Sequence, residues 1–179
     1  LALDSSGYAH ISYYDETDKD LKYAYYNGSS WADETLDGTG GVSVGKENSL
    51  VLDSSGYGHI SYYDETNKDL KYAYYNGSSW VAETVDGTGG VNVGNGTSIA
   101  LDGDDYGRIS YYDETNNDLK YAYYNGSSWA DETVAGTGKV NVGKYTSLAL
   151  DGSDYTHISY YDETNLNLMY AYWDEVESE

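Results

Sequence analysis

Carboxylates, imidazoles, amides and indoles recur in this chain at fixed intervals, and each type offers a chemistry. Adjacent acids occur at Asp15–Glu16, Asp64–Glu65, Asp113–Glu114 and Asp162–Glu163. Glycoside hydrolysis needs two carboxyl groups whose surroundings drive their pKa values apart. These pairs share nearly one context, and neighbours in a strand point to opposite faces, so they read as strand-end residues entering a turn. Histidines stand at His10, His59 and His157, with Arg108 in the third place of the series. A ring of imidazoles could hold a metal, but the arginine opposes a cation there, and hydrogen-bonded structural histidines are expected. The stretches DSSG, DGDDYG and DGSDY are rich in side-chain oxygen yet lack the closing glutamate of a calcium loop. They are read as hairpin turns with at most weak calcium binding, and no other cofactor is expected.

Amides and indoles sit together in the stretch YAYYNGSSW, which occurs unchanged at Tyr23–Trp31, Tyr72–Trp80 and Tyr121–Trp129. Asn27, Asn76 and Asn125 in NGS, and Asn95 in NGT, fit the N-glycosylation acceptor pattern. Asn-Gly is also a favoured hairpin pair, so turn geometry alone explains the first three, and modification depends on a secreted source. Trp31, Trp80 and Trp129 each follow a hairpin tip. An indole there stacks on a sugar ring beside Asn, Ser and Asp groups, or else fills the space between repeated units; packing is the expected main role and sugar binding the alternative.

The elements that position these groups are set by composition and by a repeat. With 24 tyrosines and 4 tryptophans but no phenylalanine, the large apolar area is amphipathic, suited to strands whose side chains run from interior to rim. No cysteine is present for disulfides or thiolate metal sites. The 31 acidic against 9 basic residues give a net charge of −22, which repels phosphate backbones and anionic lipid surfaces and argues against nucleic acid as a partner. No apolar run is long enough to span a bilayer. The chain starts at Leu1 without methionine, and its true N-terminus is expected to have been lost or processed.

HISYYDET recurs at His10, His59 and His157, a period of 49 residues (59 − 10). Aligning 1–48 with 50–97 leaves only 10 differences in 48 pairs, so the units are one structural element copied. The repeats are placed at 1–48, 49–97, 98–146 and a truncated 147–179, in one domain spanning 1–179. Each holds four strand-length runs, for example SLVLD, HISYYD, LKYAYY and WVAETVD, separated by Gly-, Asn- and Ser-rich turns. Four antiparallel strands per unit predict an all-β chain, a β-propeller with four blades, the ring closing within the chain or with a second one. The inner strand is predicted at Leu50–Asp53 and its equivalents, with GTGGVNVG as a connector. The central tyrosines Tyr23, Tyr72, Tyr121 and Tyr170 are predicted to be buried between blades.

The pattern LALDSSGYxHISYYD followed by DLKYAYYNGSSW resembles the tandem β-propeller repeats of secreted prokaryotic and metagenomic proteins, with a strand phase similar to NHL-type and tachylectin-like blades. The resemblance implies an extracellular or cell-surface location and leaves function open, because propellers serve as lectins, scaffolds and enzymes alike. Near identity of the copies argues against an active site that must tell one acid from one base, so no enzymatic activity is expected. The first expectation is a structural or adhesive protein that assembles with itself. The alternative is a lectin-like module binding surface glycans at equivalent sites between blades. The fourth repeat reads WDEVESE where the others continue NGSSW, leaving Leu1, Leu3, Tyr170, Tyr172 and Trp173 as a candidate assembly edge beside an acidic tail.

Overall fold

The computed structural model describes residues 1–38, 40–87, 89–136 and 140–173. Runs of Tyr, Ile, Ala and Lys without proline favour extended backbone, and they form four antiparallel sheets in chain order. Blade one contains β1 (Ala2–Leu3), β2 (Ala9–Asp15), β3 (Asp20–Tyr26) and β4 (Trp31–Asp37). Blade two contains β5 (Val44–Leu52), β6 (Gly58–Asp64), β7 (Asp69–Tyr75) and β8 (Trp80–Asp86). Blade three contains β9 (Val93–Leu101), β10 (Gly107–Asp113), β11 (Asp118–Tyr124) and β12 (Trp129–Ala135). Blade four contains β13 (Val142–Leu150), β14 (Thr156–Asp162) and β15 (Asn167–Trp173). The four-bladed propeller architecture expected from the repeat is what forms.

Turns hold themselves. Asn76 Oδ1 accepts the backbone N–H of Ser78 and of Ser79, each at 3.0 Å, closing the NGSS tip. Asp64 is buried at the end of β6, and its Oδ1 accepts the N–H of Thr66 and Asn67 at 3.0 Å. That is the strand-end role expected of the acid pairs.

The innermost strands begin earlier than the sequence suggests. β5 starts at Val44, inside the segment read as a connector, and its ladder with β6 shifts register on either side of Lys46. Gly45 sits at φ +101°, and a Cβ there would lie 2.6 Å from Leu21 Cα of the preceding blade. The glycine is thus a point of close approach within a bulged strand.

Side chains of successive blades interlock in three clusters. Leu21 and Tyr23 of blade one meet Val44, Ile60, Tyr62 and Ala73 of blade two; Leu70 and Tyr72 meet Val93, Ile99, Ile109, Tyr111 and Ala122; Leu119 and Tyr121 meet Val142, Leu148, Ile158 and Tyr160. A polar clamp crosses the first two contacts. Tyr62 and Lys71 both donate to Asp37, the phenol at 2.7 Å, and Tyr111 and Lys120 donate to Asp86 at 2.7 and 2.6 Å. At the third contact the repeat reads Ala135 in place of the aspartate and Met169 in place of the lysine. Both members of the ion pair are exchanged together, so neither charge is left without its partner.

The arc is open. Blade one and blade four make no extensive contact among the described residues, and the face of blade four that matches the buried faces of the other three is bare. Leu168, the equivalent of the fully buried Leu21, Leu70 and Leu119, is 82% exposed. Tyr170 is 58% exposed where Tyr23, Tyr72 and Tyr121 are buried, which corrects the expectation that all four are covered: no following blade lies on it. Leu1, Leu3 and Tyr172 are exposed as well, and Trp173 ends β15, whose second edge pairs with no strand among the described residues. The acidic tail with Glu175, Glu177 and Glu179 lies outside the described residues.

Candidate inter-blade clefts

Each blade carries a short polar chain running from its first hairpin to the blade contact. Asp53 Oδ1 accepts the N–H of Ser55 and Tyr57 at 2.9 and 2.7 Å, fixing the hairpin. Its other oxygen faces His59 Nε2 at 3.4 Å, and His59 Nδ1 hydrogen-bonds the Tyr72 hydroxyl. A phenol that donates to Nδ1 requires the neutral imidazole with its proton on Nε2. Burial depresses the His59 pKa against the opposing pull of Asp53, which favours that neutral form. His10 repeats the arrangement with Asp4 and Tyr23, and His157 with Asp151 and Tyr170. The histidines are therefore structural hydrogen-bonding groups, as the sequence suggested. Asp4, Asp53 and Asp151, offered by sequence as weak calcium ligands, spend their oxygens on turn amides and imidazoles.

Across the contact stands the tryptophan of the next blade. Trp80 packs edge-on against Tyr23 with ring centroids 4.9 Å apart, and its Nε1–H donates to Glu34 Oε1 at 2.8 Å. Trp129 does the same with Tyr72 at 5.0 Å and Glu83 at 2.8 Å. A Cβ on Gly58 would meet the Trp80 ring at 2.7 Å, so glycine there makes room for the indole. Trp80 and Trp129 are wedges with one polar atom committed. Trp31, with no preceding blade, is 55% exposed.

A cleft opens beside each wedge. Between blades one and two it encloses about 660 Å³ and is lined by His10, Tyr25, Glu34, Tyr57, Ser78 and Trp80 among others. Between blades two and three it encloses about 220 Å³, with His59, Tyr74, Glu83, Asp105, Tyr106 and Tyr124 on its walls. Asp105 stands where blade two has Gly56, and its carboxylate receives the Ser54 N–H at 3.0 Å and the Ser54 hydroxyl at 2.6 Å. That bridge between neighbouring hairpins narrows the second cleft.

The third contact is built differently. Arg108 replaces histidine, donating to Asp102 at 2.5 Å and to the Tyr124 carbonyl at 2.7 Å. Tyr121 hydrogen-bonds Thr156 Oγ1 at 3.0 Å across the blades, and Thr156 occupies the place of Gly58 and Gly107. One period after Trp129 the sequence has Ser178, so threonine stands where no indole must be seated.

Asn27, Asn76 and Asn125 lie exposed at hairpin tips, each with its carbonyl oxygen engaged by the turn. Asn95 is half-buried in β9, and its amide donates to Glu114 at 3.2 Å. Residues the sequence reading passed over are Glu34 and Glu83, which anchor the wedges, and Tyr25 and Tyr74, which line the clefts. Their recurrence every 49 residues was the available signal.

No protein-family model matches the sequence, and neither does any curated protein. Among solved structures, the chain is similar to an Aleuria aurantia lectin in complex with Fucalpha1-6GlcNAc, at 18% identity and TM-score 0.58, covering 93% of this chain and 58% of that one. It is also similar to the NanB sialidase from Streptococcus pneumoniae, at 14% identity and TM-score 0.58, covering 97% of this chain and 30% of that one. An exo-beta-1,3-galactanase from Phanerochaete chrysosporium matches at 8% identity and TM-score 0.59, over 90% of this chain and 42% of that one. The chain thus spans less than two thirds of each, and at such identities the likeness is one of fold.

Proposed function

We propose that the chain is a non-catalytic carbohydrate-binding propeller module that takes neutral glycans in the clefts between blades. The observation that carries this reading is the recurrence of one cleft at successive contacts, each with tyrosine faces, a carboxylate and a hairpin tip around it. Sugars present C–H faces and hydroxyls together, and aromatic walls with a few fixed polar groups suit both. A net charge of −22 disfavours sialylated, sulfated or uronic-acid chains. Of the two expectations drawn from the sequence, the comparisons favour glycan binding, and a filament-forming structural role has no support from them.

Titration calorimetry with neutral oligosaccharides tests the proposal. Binding to more than one site per chain is expected, with Tyr25→Ala and Glu34→Gln together removing one site from the stoichiometry while the rest persist. Absence of binding to any neutral glycan at millimolar concentration, or binding unchanged by that double substitution, contradicts it.

A further inference from the structure

We infer that the two bare end faces of the arc are complementary docking surfaces, and that a second copy of this chain covers them, blade four of one copy seating on blade one of the other. Three contacts within the molecule supply the template. At each, the earlier blade offers a leucine and two tyrosines from its third strand: Leu21, Tyr23 and Tyr25, then Leu70, Tyr72 and Tyr74, then Leu119, Tyr121 and Tyr123. Blade four offers the same set, Leu168, Tyr170 and Tyr172, at 82%, 58% and 62% exposure.

The opposite face is equally complete. In blade two the surface that receives those groups contains Leu50, Ile60, Tyr62, Ala73 and Trp80. One period earlier the sequence holds Leu1, Ile11, Tyr13, Ala24 and Trp31. Ile60, Tyr62 and Ala73 are fully buried, whereas Ile11, Tyr13 and Ala24 are only half-buried and line an open groove of about 360 Å³ with Trp31 at its rim. Seating Leu168 and Tyr170 there would continue the contact already made three times in the chain. The clamp residue fits too: Met169 replaces the lysine that elsewhere reaches back across a contact. Exposed apolar faces of this extent are themselves the mark of an interaction surface.

Such a contact is heterologous, with different patches on the two partners, so it closes into a ring or propagates. Propellers hold four to eight blades. Two copies of four blades reach the upper limit and three copies exceed it, so closure requires two. The docking would also build new clefts, in which His157 and Tyr172 of one copy face Trp31 and Tyr8 of the other; this consequence alone rests on the glycan reading. Each copy carries a charge of −22, so screening by salt should strengthen the association.

Sedimentation velocity and native mass spectrometry of the chain, at low and high salt, test the inference. A discrete species of twice 19.7 kDa is expected, more populated at high salt. Leu168→Asp on one face and Ala24→Glu on the other should each weaken association at least tenfold, with the circular dichroism spectrum and melting of the monomer retained because both sites lie outside the blade contacts within the chain. Mixing the two variants should restore a pair, since each retains the face the other has lost. A chain that stays monomeric into the hundred-micromolar range at every salt concentration would overturn the inference. So would a dimer insensitive to either substitution, or one that mixing fails to restore. Because this readout contains no sugar, its failure is separable from a failure of the glycan reading.

Discussion

A lysine that reaches across a blade contact is tied to the aspartate it meets. Lys120 bonds Asp86 and Asp131, both at 2.6 Å and with little exposure of its own side chain. Replacing it by the methionine found at position 169 removes one partner and leaves Asp86 poorly compensated. Lys120→Met should cost about 1–2 kcal/mol, less than breaking a fully buried pair because Tyr111 still donates to Asp86. The double change Lys120→Met, Asp86→Ala copies the third contact and should recover most of that loss in urea titrations. Additive losses would mean that the pair is not coupled. His59 gives a pH signature. Its folded pKa is lowered by burial, so the unfolded chain takes up the proton first. Its contribution is complete above the ordinary histidine value of about 6.5 and is lost as pH falls through the lower folded value. His59→Gln should flatten the midpoint against pH between neutrality and about pH 5, above the carboxylate range; an unchanged slope would place the imidazole's burial in doubt.

At the scale of the strand, one residue type can be read twice in the same fold. Tyr72→Ala should cost about 3–5 kcal/mol, the usual range for an aromatic removed from a core. Tyr170→Ala, at the equivalent place on the bare end face, should cost under about 1 kcal/mol in dilute solution. Equal losses would contradict the open arc. Strand identity was legible in the sequence because turn chemistry and alternation repeat every 49 residues. The start of the inner strand was not, because VSVG and VNVG look like linker where glycine is in fact needed for a backbone approach at Gly45. Nor was the burial of Tyr170, since identical residues give identical readings and only the missing neighbour separates them. Glu34 escaped notice because a glutamate on an outer strand reads as solvated surface, and its indole partner lies 46 residues away.

Over the whole molecule, repetition multiplies one cleft while substitutions tune each copy: Gly56 leaves the first wide, Asp105 narrows the second, and Arg108 with Thr156 remodels the third contact. The copies are expected to differ in affinity, with the widest cleft taking the longest oligosaccharide. The measurement that bears most directly on the glycan reading is the indole N–H region of a nitrogen-15 NMR spectrum during titration with a neutral oligosaccharide. Trp80 and Trp129, whose N–H groups are held by Glu34 and Glu83 at the cleft walls, should shift with saturating dependence on sugar. Saturable binding that leaves both signals in place, or moves only that of the exposed Trp31, would contradict it.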